Sequence, residues 1–374
     1  MNDRPPHRGS RAAPPVVAIG DAAPLGDRAD NRVLIPAVET PPERPPSDLI
    51  WTLDGQTMGT TWSARVIAPP GSDKAAFQTA IDQELAAVVA LFSPWEPSSE
   101  ISRFNNAPAG VWAVSQPFWD LLDAAMDLGD ETNGAVDPTL GALVDLWGFG
   151  PPGPRSPLLP LPADEEIEAA RKVSGWSRLR LNRAGRGVMQ LGGPEEAPAA
   201  GMRLDFSGIA KGHAVDRVSD RLTALGATSH LVEIGGELKG RGVKPDAQPW
   251  WIELERVENS PAPRTVVALL DLAVATSGDY RRAFNHGGRL YPHTLDGSTG
   301  RPVNNGLTSV SVLHPSAMKA DAYATALTVM GPFDGPEFAQ AMNIAACFVQ
   351  RTERGLVEQV SPAFAAMMDE GLDG

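Results

Sequence analysis

The spacing of apolar positions divides the chain into stretches of period two and stretches of period near 3.6. In LIWTLDGQTMGTTWSARV the alternation of Trp62, Ala64 and Val66 predicts a strand with one buried face. AAFQTAIDQELAAVVALF has the spacing of an amphipathic helix. SQPFWDLLDAAMDLGDETNG predicts a second helix, with Ser115 as its cap, Pro117 near its first turn and Gly134 beyond its end. ADEEIEAARKV predicts a short, acidic-headed helix, and GPPGPRSPLLPLPAD before it reads as loop. The second half is richer in strands. RLRLN, GVMQL, HLVEIGG, WWIELE, TVVALLDL and TSVSVLH predict strands, interleaved with helices near 210–225 and 317–330. Strands and helices mix without a strict βαβ repeat, so the expected class is α+β, with antiparallel sheets flanked by helices. No internal repeat of solenoid period is present.

Residues 1–48 hold ten of the 35 prolines and almost no periodic pattern, so a poorly ordered tail is expected there. The periodic elements fill 49–352, read as one domain, and 353–374 reads as a C-terminal extension. Composition narrows the function. With 42% apolar residues among 374, the chain can build a sizeable core. A net charge of -14 and a pI near 4.9 speak against a nucleic-acid binder, which needs a basic surface to displace counterions. The single cysteine, Cys347, lies inside the apolar NIAACFVQ and reads as core; one thiol excludes an internal disulfide and a multi-thiolate metal site. VVALLDLAVAT is too short to span a bilayer and contains Asp271, so no transmembrane segment is expected. The N-terminal MNDRPPHRGSRAAPPVVAIG has no apolar core of signal-peptide length and no cysteine for lipid attachment. For the chain as written, a cytoplasmic location is expected.

No GxxxxGK[ST] loop, GxGxxG after a strand or HExxH is present, so the common nucleotide and zinc signatures fail. Five clusters carry candidate chemistry. MGTTW, from Met58 to Trp62, reads as a turn entering a strand. FSPWEPSSEISRFN places Trp95 among turn formers, able to stack on a planar ligand or to cover a core edge, with Ser99 and Glu100 opening a short helix. TNGAVDPTLGALVDLWGFG surrounds Asp137 with tight turns that either bring backbone amides to a ligand or simply end a helix. LDFSGIAKGHAVD runs from a strand ending at Asp205 through Ser207 and Gly208 into a helix. Lys211 near that helix start is electrostatically unfavourable unless an anion such as a phosphate offsets it. The last cluster joins ATSGDYRRAF, RLYPHTLDGSTGRP and KADAYATAL. There His293 lies in a predicted strand near Asp296 and Thr299. Asp321 and Thr325, four apart on one helix face, can converge two oxygens on a hard cation.

MGTTW, SEISRFN, GAVDPTLGALVDLWGFG, LDFSGIAKGHAVD, IGGELKGRG, ATSGDYRR, HTLDGSTGRP and ADAYATALTVMG occur in the order of the ApbE-type FAD:protein FMN transferases, and the chain resembles that family over roughly residues 50–350. The resemblance implies a magnesium-dependent enzyme that moves the FMN half of FAD onto a Thr or Ser hydroxyl of a partner protein and releases AMP. Family partners are membrane redox pumps or flavoprotein electron carriers. By position, Asp321 and Thr325 match magnesium-binding side chains, and Gly208 matches the residue offering its carbonyl. Met58, Trp95, Ala135, Val136, Asp137, Asp205, Lys211 and Leu295 fall where the family touches FAD. His293 matches the family histidine proposed to help deprotonate the acceptor. The family usually has tyrosine where Trp95 stands, phenylalanine where Val136 stands, and proline where Gly297 stands. In this mechanism magnesium and Lys211 offset charge on the diphosphate. Two alternatives stay open on the same residues: hydrolysis of FAD to FMN and AMP, and a carrier that holds FAD without cleaving it.

Overall fold

A computed structural model describes residues 31–38, 42–108, 110–154, 160–182, 187–190, 202–258, 260, 262–279 and 282–368. The expected tail over 1–30, Tyr280 and Arg281 of the fifth cluster, and 369–374 lie outside the described residues. The fold is α+β, built on one eight-stranded sheet. Its strands in chain order are β2 (Ile50–Thr57), β3 (Thr60–Ile67), β7 (His230–Ile234), β8 (Glu237–Arg241), β11 (Leu272–Gly278), β16 (Leu307–His314), β17 (Ala345–Thr352) and β18 (Gly355–Val360). In space they run β18-β17-β16-β11-β8-β7-β3-β2, every neighbouring pair antiparallel.

The central strands read as continuous apolar runs because both faces of the sheet are covered. Val232 and Ile234 of β7, Ala273 and Ala275 of β11, and Phe348 of β17 point into the larger core. Their neighbours Leu231, Val274 and Cys347 point into a second core on the other face. Helices α1 (Lys74–Phe92), α6 (Ala210–Ala224) and α7 (Ala317–Ala341) cover the first face. By length and composition α1 is apolar enough to cross a membrane, contrary to the reading of the apolar runs. In this fold Phe77, Ile81, Leu85, Val88 and Phe92 form its buried stripe.

The second face is covered by a small sheet of β1 (Asn31–Leu34), β10 (Arg264–Leu269) and β9 (Trp250–Glu253), with α8 (Pro362–Ala365) beside it. Three expectations change here. β1, inside the segment expected to be a tail, pairs in parallel with β10 and buries Leu34 completely. Residues 355–365, expected as an extension, supply an edge strand of the main sheet and the fully buried Phe364. TVVALLDL, expected as one strand, breaks at Asp271, whose φ of 49° starts β11 in a different sheet from β10.

The remaining elements complete the fold. They are α2 (Glu100–Asn105), α3 (Gln116–Glu131), α4 (Gly141–Leu146), α5 (Asp164–Lys172), and a three-stranded sheet of β4 (Val111–Ala113), β5 (Leu179–Asn182) and β6 (Gly187–Gln190). Two hairpins follow β11: β12 (Ala283–His286) with β13 (Arg289–Pro292), and β14 (Leu295–Asp296) with β15 (Arg301–Pro302). Around them Leu140, Leu143, Trp147, Phe149, Ile167 and Leu295 form a third apolar cluster. Ser99 and Ser115 cap α2 and α3 as their positions predict, each side chain accepting from a first-turn amide.

Helix α7 is helical to Met330 and turns at Gly331 (φ 85°) before Pro332. Proline has no N–H to give the Thr328 carbonyl, four residues back, and the Asn305 side-chain amide donates to it instead at 2.8 Å.

Two histidines tie the first core to pH. His230 is fully buried, with Nδ1 2.9 Å from the Ala227 carbonyl and Nε2 2.8 Å from the Ser219 hydroxyl. His213 of α6 packs edge-on against Phe92. Burial above all pushes each imidazole down from 6.5 to about 4, with cationic neighbours adding to it. The unfolded chain takes up protons first as pH falls, so this stability is complete above about pH 6.5 and declines toward 4. Urea unfolding at pH 5 should therefore show each histidine costing roughly 2 kcal/mol relative to pH 7. His213→Phe should remove its share of that difference; an unchanged pH slope in the variant would refute the assignment.

Candidate functional site

The site sits where the first core meets the third apolar cluster, in a cleft floored by the ends of α6, α7, β8 and β11. Its floor begins with Asp205. That carboxylate accepts from the Ser207 amide at 2.9 Å and from the Ser207 hydroxyl, a turn that leads into α6. Asp205 does not end a strand, the arrangement expected from its context; the segment makes only an isolated bridge, Leu140 with Arg203, and the Asp205 amide donates to the Pro138 carbonyl.

Two glycines then bring α6 against α7. A Cβ on Gly212 would stand 2.1 Å from the Ala317 carbonyl oxygen, and one on Gly208 would stand 3.0 Å from Thr325 Oγ1. The close approach lets the Gly212 amide donate to Asp321 Oδ2 at 3.0 Å. Asp321 is 4% exposed, and Lys211 Nζ donates to its other oxygen at 3.3 Å. Thr325, one turn further along α7, lies 3.5 Å from the Ser277 hydroxyl of β11.

The start of α7 is fixed from α6 as well. Asp216 accepts from the Ala317 and Met318 amides at 3.0 Å each and from the Ser316 hydroxyl at 2.7 Å, and Lys239 donates to it at 2.7 Å. Burial raises the Asp216 pKa, but Lys239 and the helix-terminal amides outweigh it and hold the carboxyl below its usual range. A carboxylate over a helix N-terminus also suits the helix dipole.

Lys211 meets a second carboxylate that the motifs did not single out. Glu237 Oε1 accepts from Lys211 Nζ at 2.6 Å, and Oε2 accepts from the Thr276 amide at 3.3 Å, although Glu237 is fully buried. Its position follows from Gly235 and Gly236, both at positive φ (58° and 94°), which make the two-residue turn of the β7–β8 hairpin. IGGE carried a local signal for that turn. The partnership with Lys211 depends on sheet order and has no local signal.

The opposite wall comes from 135–138, Leu140, Val144, Thr294 and Leu295, with His293 at its edge. Here the amides serve helix termination: Gly134 donates to Gly129, Ala135 to the Thr132 carbonyl and Val136 to Thr132 Oγ1, all closing α3. Asp137 is likewise committed to the loop, accepting from Thr139 at its amide and hydroxyl and from the Trp176 amide. Burial raises its pKa, and those three hydrogen bonds oppose the shift. Ala135, Val136, Asp137 and Leu295 therefore line the cleft.

His293 lies between β13 and β14 instead of within a strand. Its amide and its Nδ1 both lie 3.0 Å from the Arg282 carbonyl oxygen. A carbonyl only accepts, so the neutral ring carries its proton on Nδ1 and keeps Nε2 as its acceptor atom. Met58 and Trp95 are not among the lining residues. Met58 sits at the β2–β3 turn with φ 48°, partly buried on the first core. Trp95 is 49% exposed, with the Arg282 guanidinium 5.4 Å from its ring centre. Arg282 thus joins Trp95 to His293, a link that the sequence did not indicate.

The Gly208 backbone, Asp321 and Thr325 offer hard oxygen donors with one carboxylate. Among the described residues no group of three or more His, Cys, Asp or Glu forms a metal cage. A cation there would take further oxygens from substrate or water, the habit of magnesium.

This combination, an α+β sandwich carrying oxygen donors and a lysine across a tight helix pair, defines the class of site. The pattern of the ApbE family matches residues 58–348, and the chain belongs to the ApbE family. It is 38% identical over 323 residues to an FAD:protein FMN transferase of Vibrio cholerae, covering 85% of this chain and 92% of that one. A Salmonella typhimurium FAD:protein FMN transferase is 32% identical, with 88% and 93% covered. Among solved structures, the apo form of the Pseudomonas stutzeri flavinyl transferase ApbE superposes with a TM-score of 0.77 at 37% identity, covering 87% of this chain and 98% of that one.

The glycine contact makes the site brittle. Gly212→Ala should lower the unfolding free energy by about 1–3 kcal/mol, since a backbone oxygen cannot move aside as a side chain can. A urea midpoint equal to that of the unaltered protein would show that α6 and α7 tolerate separation.

Proposed function

We propose that this chain transfers FMN from FAD to a serine or threonine hydroxyl of a protein acceptor, with magnesium as the required cation. The observation that carries the reading is the meeting of Gly208, Asp321 and Thr325 with Lys211 in one cleft. The names of the relatives supply FAD and a protein acceptor.

The Gly208 carbonyl, the Asp321 carboxylate and the Thr325 hydroxyl would hold magnesium, which when bound would draw negative charge off the diphosphate. Lys211, tied to Glu237, presents a second positive charge at the same end of the cleft. His293 Nε2 takes the proton of the acceptor hydroxyl while Nδ1 stays on the Arg282 carbonyl. The hydroxyl oxygen forms its bond to the FMN-side phosphorus, the bond to the bridging oxygen breaks, and that oxygen leaves with AMP. Positioning and electrostatics suffice; no nucleophile from this chain is required.

The test incubates the protein with FAD, magnesium and an acceptor bearing a Ser/Thr flavinylation motif, then follows flavin fluorescence on the denatured acceptor. Labelled acceptor is expected, with Asp321→Ala at least about a hundredfold slower. Free FMN and AMP with an unlabelled acceptor would make the chain a hydrolase, and intact FAD would make it a carrier. Full turnover by Asp321→Ala would remove the cation assignment.

A further inference from the structure

Lys211 lies between two buried carboxylates, and its two distances differ: 2.6 Å to Glu237 and 3.3 Å to Asp321. A cation so placed, opposite two anions, leaves one negative charge over. Were Glu237 neutral, the same lysine would cancel Asp321, and that pair would offer no net charge to an incoming ion. Screening is weak for groups as enclosed as these carboxylates, with side chains 1% and 5% exposed, so the sign of the remainder governs what binds.

We propose that Glu237 is a positioning residue that engages Lys211 and thereby reserves Asp321 for a divalent cation. The proposal rests on the magnesium-dependent reading above. Glu237 is built for the role by its surroundings. The paired glycines of the β7–β8 turn set it at the first position of β8, and the Thr276 amide of β11 fixes its second oxygen. The nearer oxygen then meets Nζ of Lys211 in the first turn of α6, while Asp321 is steadied separately by the Gly212 amide. Neither carboxylate depends on the lysine alone for its orientation. A cation can therefore replace the Lys211 contact at Asp321 while Lys211 stays held by Glu237, beside the diphosphate.

The test is a double-mutant cycle read by direct ion binding. Mn2+ is titrated into the full chain with FAD present and no acceptor, and free Mn2+ is followed by electron paramagnetic resonance, with Asp321→Ala as the site control. Glu237→Gln should weaken Mn2+ binding at least about tenfold in the presence of Lys211, yet no more than about twofold in a Lys211→Met background. In that background there is no Nζ for Glu237 to hold, so removing the carboxylate charge leaves nothing of the tether to lose. Equal losses in both backgrounds would make Glu237 an independent source of field or a ligand, and would overturn the proposal while leaving the magnesium reading intact. Absence of any Mn2+ binding sensitive to Asp321→Ala would overturn both. Glu237→Asp, which keeps the charge and shortens the reach, guards against a folding defect in the glutamine variant. It should also weaken Mn2+ binding, and unchanged affinity would refute the tether.

Discussion

Helices α6 and α7 stand closer together than any side chain at residue 212 would permit, and the cleft depends on that separation. Gly212 and Asp321 meet backbone to carboxylate, Gly208 lies against Thr325, and Asp216 closes the start of α7 from the α6 side. Each contact is short range and loses its value within a fraction of an ångström. Residues more than a hundred positions apart in the chain thus become parts of one surface.

The second organising feature is charge enclosed by low-dielectric surroundings. Glu237, Lys211 and Asp321 form an odd-numbered chain of ions, and Asp216 with Lys239 forms a compensated pair behind it. Paired buried charges add little net stability, because desolvation consumes most of their attraction. Their value here lies in geometry and in the sign of the residual field. The same enclosure keeps His230 and His213 neutral at physiological pH, so the helix layer behind the site carries no imidazolium charge.

Much of this was legible in the sequence where the information is local. The i, i+4 spacing of Asp321 and Thr325, the caps at Ser99 and Ser115, and the α+β mixture follow from periodicity and end signals. The motif order pointed to Asp205, Lys211, His293 and Leu295, which line the cleft, and also to Met58 and Trp95, which do not. What stayed hidden depends on contacts distant in the chain. Glu237 becomes a partner of Lys211 only because β8 lies between β7 and β11. The amides after α3 could have faced a ligand, and the Thr132 side chain decides that they finish the helix. His293 sits between two short hairpins whose turns resemble one longer strand, and Asp271 breaks an apolar run that gives no warning in its spacing.

The double-faced strands carry one more implication. Side chains alternate between two cores, so sliding β17 or β11 by a single residue would exchange Phe348 with Cys347, or Ala275 with Val274, between compartments of different size. Intermediate displacements are excluded by the hydrogen-bond ladder, whose step is about 3.3 Å. Placement error in β8 and β11, which carry Glu237, Thr276 and Ser277, is therefore quantised: these residues keep their alignment or lose it by a whole step, without gradual drift.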